Sequence, residues 1–216
     1  MNTEFARLQM VNQQVRGWNV YDEDVLAMLR ELPREHFVPA DYEALAFADT
    51  QIPIGYGQSM MAPTVEGRLL QALELQGHEH VLEVGTGSGF LTACLAKLAA
   101  RVTSIDIYDY FLARAADKLA DCDIDNVELL EMDAMRALPD GEFDAIAVTG
   151  SIQAFDPRFV AALKPRGRLF LVDGDGPAMH AKLVERLDGK DWRTAWLFET
   201  NLAPLVHGAL PPQFSF

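Results

Sequence analysis

Three glycines mark a turn between an apolar strand pattern and a helical pattern, in the stretch "VLEVGTGSGF". Gly85 permits the tight turn, Gly87 lets a ligand approach the backbone closely, and Gly89 allows close packing where the helix begins. The spacing G-x-G-x-G differs from the dinucleotide fingerprint G-x-G-x-x-G, and no Gly-Lys-Ser/Thr follows as in a phosphate-binding loop. A structural turn alone would explain the glycines, but their position also suits a ligand that has no phosphate group.

Polar side chains stand at the ends of the next three predicted strands. Asp106 closes "VTSIDI", where a carboxylate can accept hydrogen bonds from both hydroxyls of a ribose. Asp133 in "EMDA" can accept one from the exocyclic amine of an adenine, and Thr149 in "VTG" lies over the pocket mouth. Each acid alone is also explained as a helix cap. Because the carboxyl ends of parallel strands meet at one edge of a sheet, their joint placement favours a site for an adenosine with a short polar tail.

Strand and helix patterns alternate from about residue 64 onward, which predicts βαβ units and a mostly parallel sheet. Residues 1–62 are expected to form a helical extension that ends in a loop, and residues 63–216 one compact α/β domain that binds the ligand. The late stretch "DWRTAWLFETN" is expected to be an antiparallel strand. The last two expected helices are "DPRFVAALKPRG", in which Pro-Arg-Gly stops the helix, and "AMHAKLVERL".

The loop "GYGQSMMAPT" leads into the first helix of the α/β domain. Pro63 suits the first helical position, which puts Ala62, a poor capping residue, at the N-cap. A helix start that is not optimised for stability favours the interpretation that the preceding loop belongs to a functional site.

The composition restricts the classes of partner. A formal net charge of -14 with no run of Lys or Arg argues against a nucleic-acid binder. No apolar stretch approaches the ~18 residues of a membrane span, and the N-terminus lacks the apolar run of a signal peptide. We expect a cytoplasmic protein in which Cys94 and Cys122 are reduced, with five histidines too scattered for a metal site. The oligomeric state stays open.

Several stretches resemble a known enzyme family. "VLEVGTGSGFLTACLA", "FDAIAVTG" and "LKPRGRLFL" are similar to motifs of class I S-adenosylmethionine-dependent methyltransferases. "MVNQQV", "LRELPREHFVP" and "FADTQIPIGYGQ" resemble, more specifically, protein-L-isoaspartate O-methyltransferases. The similarity runs from about Met10 to about Val172 and is weaker toward the C-terminus, where the family pattern is reduced in "NLAPLVHG" to its "PL".

The resemblance implies a Rossmann-like sheet of about seven mostly parallel strands, with helices on both faces and an N-terminal helical extension. It implies S-adenosylmethionine as methyl donor and, as acceptor, the carboxylate of an isoaspartyl residue in a damaged protein or peptide. The loop residues Gln58, Ser59, Met60 and Met61 are then expected on the substrate side. The expected cofactor contacts are Gly85, Thr86, Gly87, Ser88, Gly89, Asp106, Ile107, Asp133, Ala134, Thr149 and Thr64.

One position departs from the family pattern Gly-Gln-Thr-Ile-Ser-x-Pro. Met61 stands where the family has its active-site serine, and methionine has no hydroxyl to donate. Isoaspartyl methylation then requires a substitute hydroxyl, from Ser59 or Thr64. Alternatively, the protein methylates another small acceptor whose apolar face packs on the two methionines, or binds the cofactor without catalysis. The glycine spacing and the lack of a Tyr-x-x-x-Lys relay disfavour a nicotinamide dehydrogenase.

Overall fold

A short hairpin precedes one large sheet in this computed structural model, which describes residues 3–189 and 191–208. The hairpin strands are β1 (Ile52–Gly55) and β2 (Gln58–Met60). The large sheet contains β3 (His80–Val84), β4 (Arg101–Asp106), β5 (Val127–Glu131), β6 (Phe143–Ile152), β7 (Leu163–Asp173), β8 (Met179–Arg186) and β9 (Trp192–Thr200).

The order of the seven strands in the large sheet is β5-β4-β3-β6-β7-β8-β9. β8 runs antiparallel to both of its neighbours, and the other pairings are parallel. This arrangement confirms the predicted Rossmann-like sheet of about seven mostly parallel strands. The order reverses direction at β3, so the glycine-rich turn that follows β3 lies at the topological switch point, where open α/β sheets bind their ligands.

The N-terminal helix changes its geometry along its length. α1 (Thr3–Gln9) continues into a π-helical segment (Met10–Val15) and a 3-10 turn (Arg16–Trp18). No helix in the described residues is long and apolar enough to cross a bilayer. The helices that follow are α2 (Glu23–Glu31), α3 (Arg34–Phe37), a 3-10 segment (Ala40–Leu45), α4 (Pro63–Leu73), α5 (Phe90–Leu98), α6 (Asp109–Asp121) and α7 (Pro157–Ala161).

The last two helices expected from the sequence are wrong in type or in length. "AMHAKLVERL" forms strand β8, because it pairs with β7 on one side and with β9 on the other. The helix expected over "DPRFVAALKPRG" ends at Ala161, and Leu163 already pairs with Phe143 of β6. Pro165 carries no amide hydrogen and disfavours helical geometry in the residue before it, so the helix cannot continue through this segment.

The large sheet carries an apolar core on each face. Along β7, Phe170 and Val172 belong to one core and Leu169 and Leu171 to the other, as the alternation of side chains along a strand requires. Residues of α2, α4 and α5 pack in the first core and residues of α7 in the second. Helices therefore lie on both faces of the sheet, as predicted.

The N-terminal extension shares the first of these cores. Met10, Leu26 and Phe37 belong to the same buried cluster as Val81 and Phe170 of the large sheet. The boundary expected between residues 62 and 63 therefore lies within one continuous apolar core.

Candidate functional site

A cavity lies between the β1–β2 hairpin and the carboxyl ends of the strands around β3. The structure brings most of the predicted site residues into its wall, from both the cofactor side and the substrate side. Of the predicted residues, only Thr64 and Gly89 do not line it. Those that do are Gln58, Ser59, Met60, Met61, Gly85, Thr86, Gly87, Ser88, Asp106, Ile107, Asp133, Ala134 and Thr149.

Three positive φ angles shape the glycine-rich turn. Gly85, Gly87 and Gly89 have φ angles of 99°, 51° and 84°. A Cβ on Gly85 would lie 2.3 Å from Oγ1 of Thr149, so only glycine fits there. A Cβ on Gly89 would lie 2.9 Å from the Cβ of Ala115, so Gly89 serves the packing of α5 against α6 rather than the cavity wall.

Asp106 is fixed at the end of β4 by backbone amides. Its Oδ2 accepts a hydrogen bond from the Gly87 amide at 2.9 Å, and its Oδ1 accepts one from the Tyr108 amide at 3.0 Å. Burial raises the pKa of the carboxyl, and the amide hydrogen bonds offset part of this rise. Each carboxylate oxygen can accept more than one hydrogen bond, so Asp106 can also receive ribose hydroxyls.

Asp133 already has three partners. Its Oδ1 accepts a hydrogen bond from the Met135 amide at 3.0 Å, while its Oδ2 lies 2.8 Å from Nδ1 of His207 and 3.1 Å from Nε of Arg136. An adenine amine would have to share this carboxylate with those groups. The contact with His207 also brings the C-terminal segment to the cavity.

Two of the three predicted threonines, Thr149 and Thr64, direct their hydroxyls toward the protein. Thr149 lines the cavity, but its Oγ1 lies 2.9 Å from the carbonyl oxygen of Val84 and 2.8 Å from that of Gly85, so it supports the glycine-rich turn. The buried Thr64 hydroxyl donates to Asp49 at 2.8 Å. The structure therefore does not bring Thr64 to the site, either as a cofactor contact or as a substitute hydroxyl.

The entrance of α4 is capped by a residue that is remote in sequence. Oδ1 of Asp49 also accepts a hydrogen bond from the Thr64 amide at 3.3 Å. Asp49 thus supplies the cap that Ala62 lacks, and a carboxylate at this end is also favoured by the helix macrodipole. The inference that this helix entrance is poorly capped is wrong, because the capping group lies 15 residues before Thr64.

The hairpin side of the cavity includes two methionines and one serine. Met60 and Met61 line the wall and are 4% and 5% exposed, and Ser59 lines the same wall. Among the described residues that line the cavity there is no Lys, Arg or His. A negatively charged acceptor would therefore depend on hydroxyl and amide donors.

Arg34 fixes the backbone at Met61 and is not among the residues that the sequence predicts for the site. Arg34 is fully buried, and it donates to the carbonyl of Met61 at 2.7 Å and to that of Ala46 at 2.9 Å. The same guanidinium pairs with Glu66 and lies 4.7 Å from the ring centroid of Phe90. Burial raises the pKa of Glu66 to about 7, against the opposing charge of Arg34. The available signal was the arginine within the specific motif "REHFVP".

Glu83 was also missed, because it stands inside an apolar strand pattern. It is fully buried and lines the cavity, and its Oε2 accepts hydrogen bonds from Ser104 at 2.6 Å and Thr92 at 2.5 Å. Its Oε1 has no hydrogen-bond partner in the described structure. Burial raises the pKa of this carboxyl to about 8, although the two hydroxyls lower it in part. A buried acid with one free oxygen suits a cationic group of a ligand.

The C-terminal segment closes one end of the cavity, although only the "PL" of the family pattern is present in it. Leu202 and Leu205 line the cavity. The Leu205 amide donates to the Ser151 carbonyl at 2.9 Å, and the Ser151 amide donates to the Ala203 carbonyl at 3.0 Å. These hydrogen bonds attach the segment to the end of β6.

Comparison with known proteins assigns the chain to a family. The sequence profile described as Protein-L-isoaspartate(D-aspartate) O-methyltransferase matches residues 7–208. The chain belongs to this family. The match continues beyond Val172, where the motifs alone suggested that the similarity weakens. Family membership makes the protein an S-adenosylmethionine-dependent methyltransferase.

Relatives and solved structures resemble the chain over most of its length. A protein-L-isoaspartate O-methyltransferase of Anaeromyxobacter dehalogenans (strain 2CP-C) is 39% identical over 196 residues, which cover 89% of this chain and 93% of the relative. Protein-L-isoaspartate O-methyltransferase 1 of Rhodopseudomonas palustris (strain HaA2) is 36% identical, over 94% of this chain and 85% of the relative. A Plasmodium falciparum structure assigned to the same enzyme class, in complex with S-adenosyl-L-homocysteine, matches with a TM-score of 0.79. The match covers 93% of this chain and 98% of that chain. At 19% identity, that likeness shows the fold alone.

Proposed function

We propose that this protein transfers the methyl group of S-adenosylmethionine to the carboxylate of an L-isoaspartyl residue in a protein or peptide. The two-sided cavity is the observation that supports this function. The glycine-rich turn and Asp106 form one side, and the hairpin with Ser59 and Met61 forms the other. The names of the relatives support the acceptor class.

The residues of the first side fit the cofactor. Asp106 is positioned to receive ribose hydroxyls, and Gly87 allows close approach to the backbone. The free Oε1 of Glu83 is suited to the α-ammonium group of the methionine moiety. When bound, the cofactor supplies an electrophilic methyl group on its sulfonium.

The acceptor side needs positioning more than acid–base chemistry. A carboxylate is already ionised and nucleophilic at pH 7, so the protein has to align and partly desolvate it. We assign the donating hydroxyl to Ser59, since Met61 cannot donate and Thr64 donates to Asp49. One such positioning hydrogen bond contributes about 1–3 kcal/mol, or roughly tenfold to a few hundredfold in rate.

The two methionines favour a second candidate, methyl transfer to a different small acceptor. Met60 and Met61 form a nearly dry, polarisable part of the wall. The described lining also lacks a cationic side chain that would pair with a carboxylate. An acceptor with an apolar face and little negative charge would suit such a wall.

An assay with an isoaspartyl peptide and labelled S-adenosylmethionine separates the two candidates. We expect wild-type methyl ester formation that falls at least about tenfold in Ser59→Ala. The matching aspartyl peptide is the control and should not be methylated. Absent turnover by the wild type, together with clear turnover by Met61→Ser, would favour the different acceptor. Failure of the wild type to bind S-adenosylhomocysteine would overturn the cofactor site itself.

A further inference from the structure

The tip of the β1–β2 hairpin is fastened by a single aromatic ring. Gly55, Tyr56 and Gly57 form the tip, with φ angles of 104°, 53° and 73°. A Cβ on either glycine would meet no atom within 4 Å, so nothing packs against the tip at those two positions. The ring of Tyr56, by contrast, stacks on that of Tyr108, with centroids 4.4 Å apart and planes inclined by 24°.

Phe111 also packs on Tyr56, and the rings of Tyr56, Tyr108 and Phe111 are termed the aromatic clasp. The Phe111 ring stands nearly perpendicular to both tyrosine rings of the clasp, with centroids 5.6 Å from each, and the Tyr110 ring lies 5.7 Å from that of Tyr56. Tyr108 and Phe111 both line the cavity, and Phe111 is 3% exposed. Tyr56 is 58% exposed, so it reaches the clasp from the solvent side. The clasp thus joins the hairpin tip to the cavity wall that follows β4.

The backbone at Tyr56 indicates that its side chain is needed there. Non-glycine residues rarely adopt a positive φ, and Gly or Asn fits such a turn with less strain than an aromatic residue. The turn geometry alone therefore does not explain a tyrosine. The ring contact with Tyr108 does, because it stabilises the hairpin in its closed position.

We propose that Tyr56 is a positioning residue that holds the hairpin over the cofactor, so that the clasp must open before S-adenosylhomocysteine leaves. This inference rests on the proposed cofactor site. The clasp adjoins the ribose side of the cavity, since Tyr108 also donates its amide hydrogen to Asp106. The acceptor-side residues Gln58 and Ser59 follow the tip directly, so the same ring sets their position relative to the cofactor.

The dissociation rate of S-adenosylhomocysteine tests this role in three variants. Tyr56→Asn keeps a residue that tolerates positive φ and removes the ring, so release should become at least roughly three- to tenfold faster, the effect expected from loss of the Tyr56–Tyr108 stack alone. The KM for the acceptor should also rise. Tyr56→Phe should restore wild-type values, because stacking needs only the ring. Trp196→Ala is the control, since Trp196 is a 67% exposed aromatic residue outside the cavity lining and should leave the rate unchanged.

The outcomes distinguish the clasp from the cofactor site. Wild-type binding of S-adenosylhomocysteine with a Tyr56→Asn dissociation rate within about twofold of the wild-type rate overturns the clasp. Equal acceleration in Tyr56→Asn and Tyr56→Phe also overturns it, because the ring would then not be the operative group. A wild type that does not bind S-adenosylhomocysteine overturns the proposed function, whatever the variants do.

Discussion

The residues of the site differ in how well they can be predicted from the sequence alone. Asp106 could be predicted because it ends a strand, and strand ends meet at the ligand-binding edge of a parallel sheet. Glu83 could not, because its environment depends on hydroxyls of Ser104 and Thr92 that come from other elements. A strand pattern records which residues are apolar, but not which buried acid keeps a free oxygen.

Binding of S-adenosylhomocysteine should release a proton from Glu83 near neutral pH. The pKa of this carboxyl is raised to about 8, so it is mostly protonated at pH 7, and a nearby ammonium group favours its ionised form. Affinity should therefore increase as the pH rises from about 6 toward 8 and level off above that. Calorimetry at pH 7 in buffers of different ionisation enthalpy should detect up to about one proton released per ligand bound.

Two variants separate Glu83 from its neighbours in this measurement. Glu83→Gln should weaken binding and abolish the proton release. Asp106→Asn should weaken binding but leave a smaller release in place, because the Asp106 charge contributes only part of the raised pKa of Glu83. Proton release that persists in Glu83→Gln would contradict the assignment.

Secondary-structure elements could be predicted where the local sequence pattern determines them. The prediction failed where pairing with a neighbouring element determines the structure. The pattern of "VLEVG" gave its strand correctly, since a short apolar run between turns suits a buried parallel strand. "AMHAKLVERL" fits a helical period almost as well as a strand period, and its pairing with β7 and β9 decides between them. The cap of α4 is equally non-local, because Asp49 reaches it from the segment before the hairpin.

Removal of the remote cap should destabilise α4. Asp49→Ala leaves the amide and hydroxyl of Thr64 without their acceptor, so the free energy of unfolding should fall by about 1 kcal/mol, within the 0.5–2 kcal/mol of known N-caps. Urea unfolding measures the change. Asp41→Ala, at an exposed carboxylate in the preceding 3-10 segment, is the matched control and should change stability by less than about 0.5 kcal/mol. Equal stability of the two variants would contradict the capping role.

On the scale of the whole molecule, the N-terminal extension and the sheet share one apolar core, and the buried Arg34–Glu66 pair connects the extension to α4. The sequence could predict the succession of helical and α/β parts, but not that Met10 and Phe170 share a cluster. It also could not predict that Arg34 would meet the Met61 carbonyl, the Glu66 carboxyl and the Phe90 ring in one place. These contacts join segments that are distant in the chain, so no local pattern contains them.

Arg34→Met should therefore destabilise the whole fold rather than one segment. It leaves Glu66 buried without a partner, and breaking a buried pair in this way costs about 3–5 kcal/mol. The pKa of Glu66, already about 7, should rise further once Arg34 is gone. Below about pH 7 the acid is mostly protonated in both folded proteins, so the stability of the variant should fall relative to wild type as the pH rises from about 7 to 8.

The double variant Arg34→Met/Glu66→Leu completes this test, since it removes both charges together. It should recover part of the lost stability, because apolar residues of similar volume replace buried ion pairs at little cost, while the Met61 and Ala46 carbonyls stay without the donor that Arg34 supplied. Urea unfolding of wild type, single and double variants at pH 5.5 and pH 8 provides the comparison. If the single variant lost the same stability at both pH values, or if the double variant were no more stable than the single one, the loss would come from the Met61 and Ala46 carbonyls or from packing around Phe90, and not from the unpaired acid.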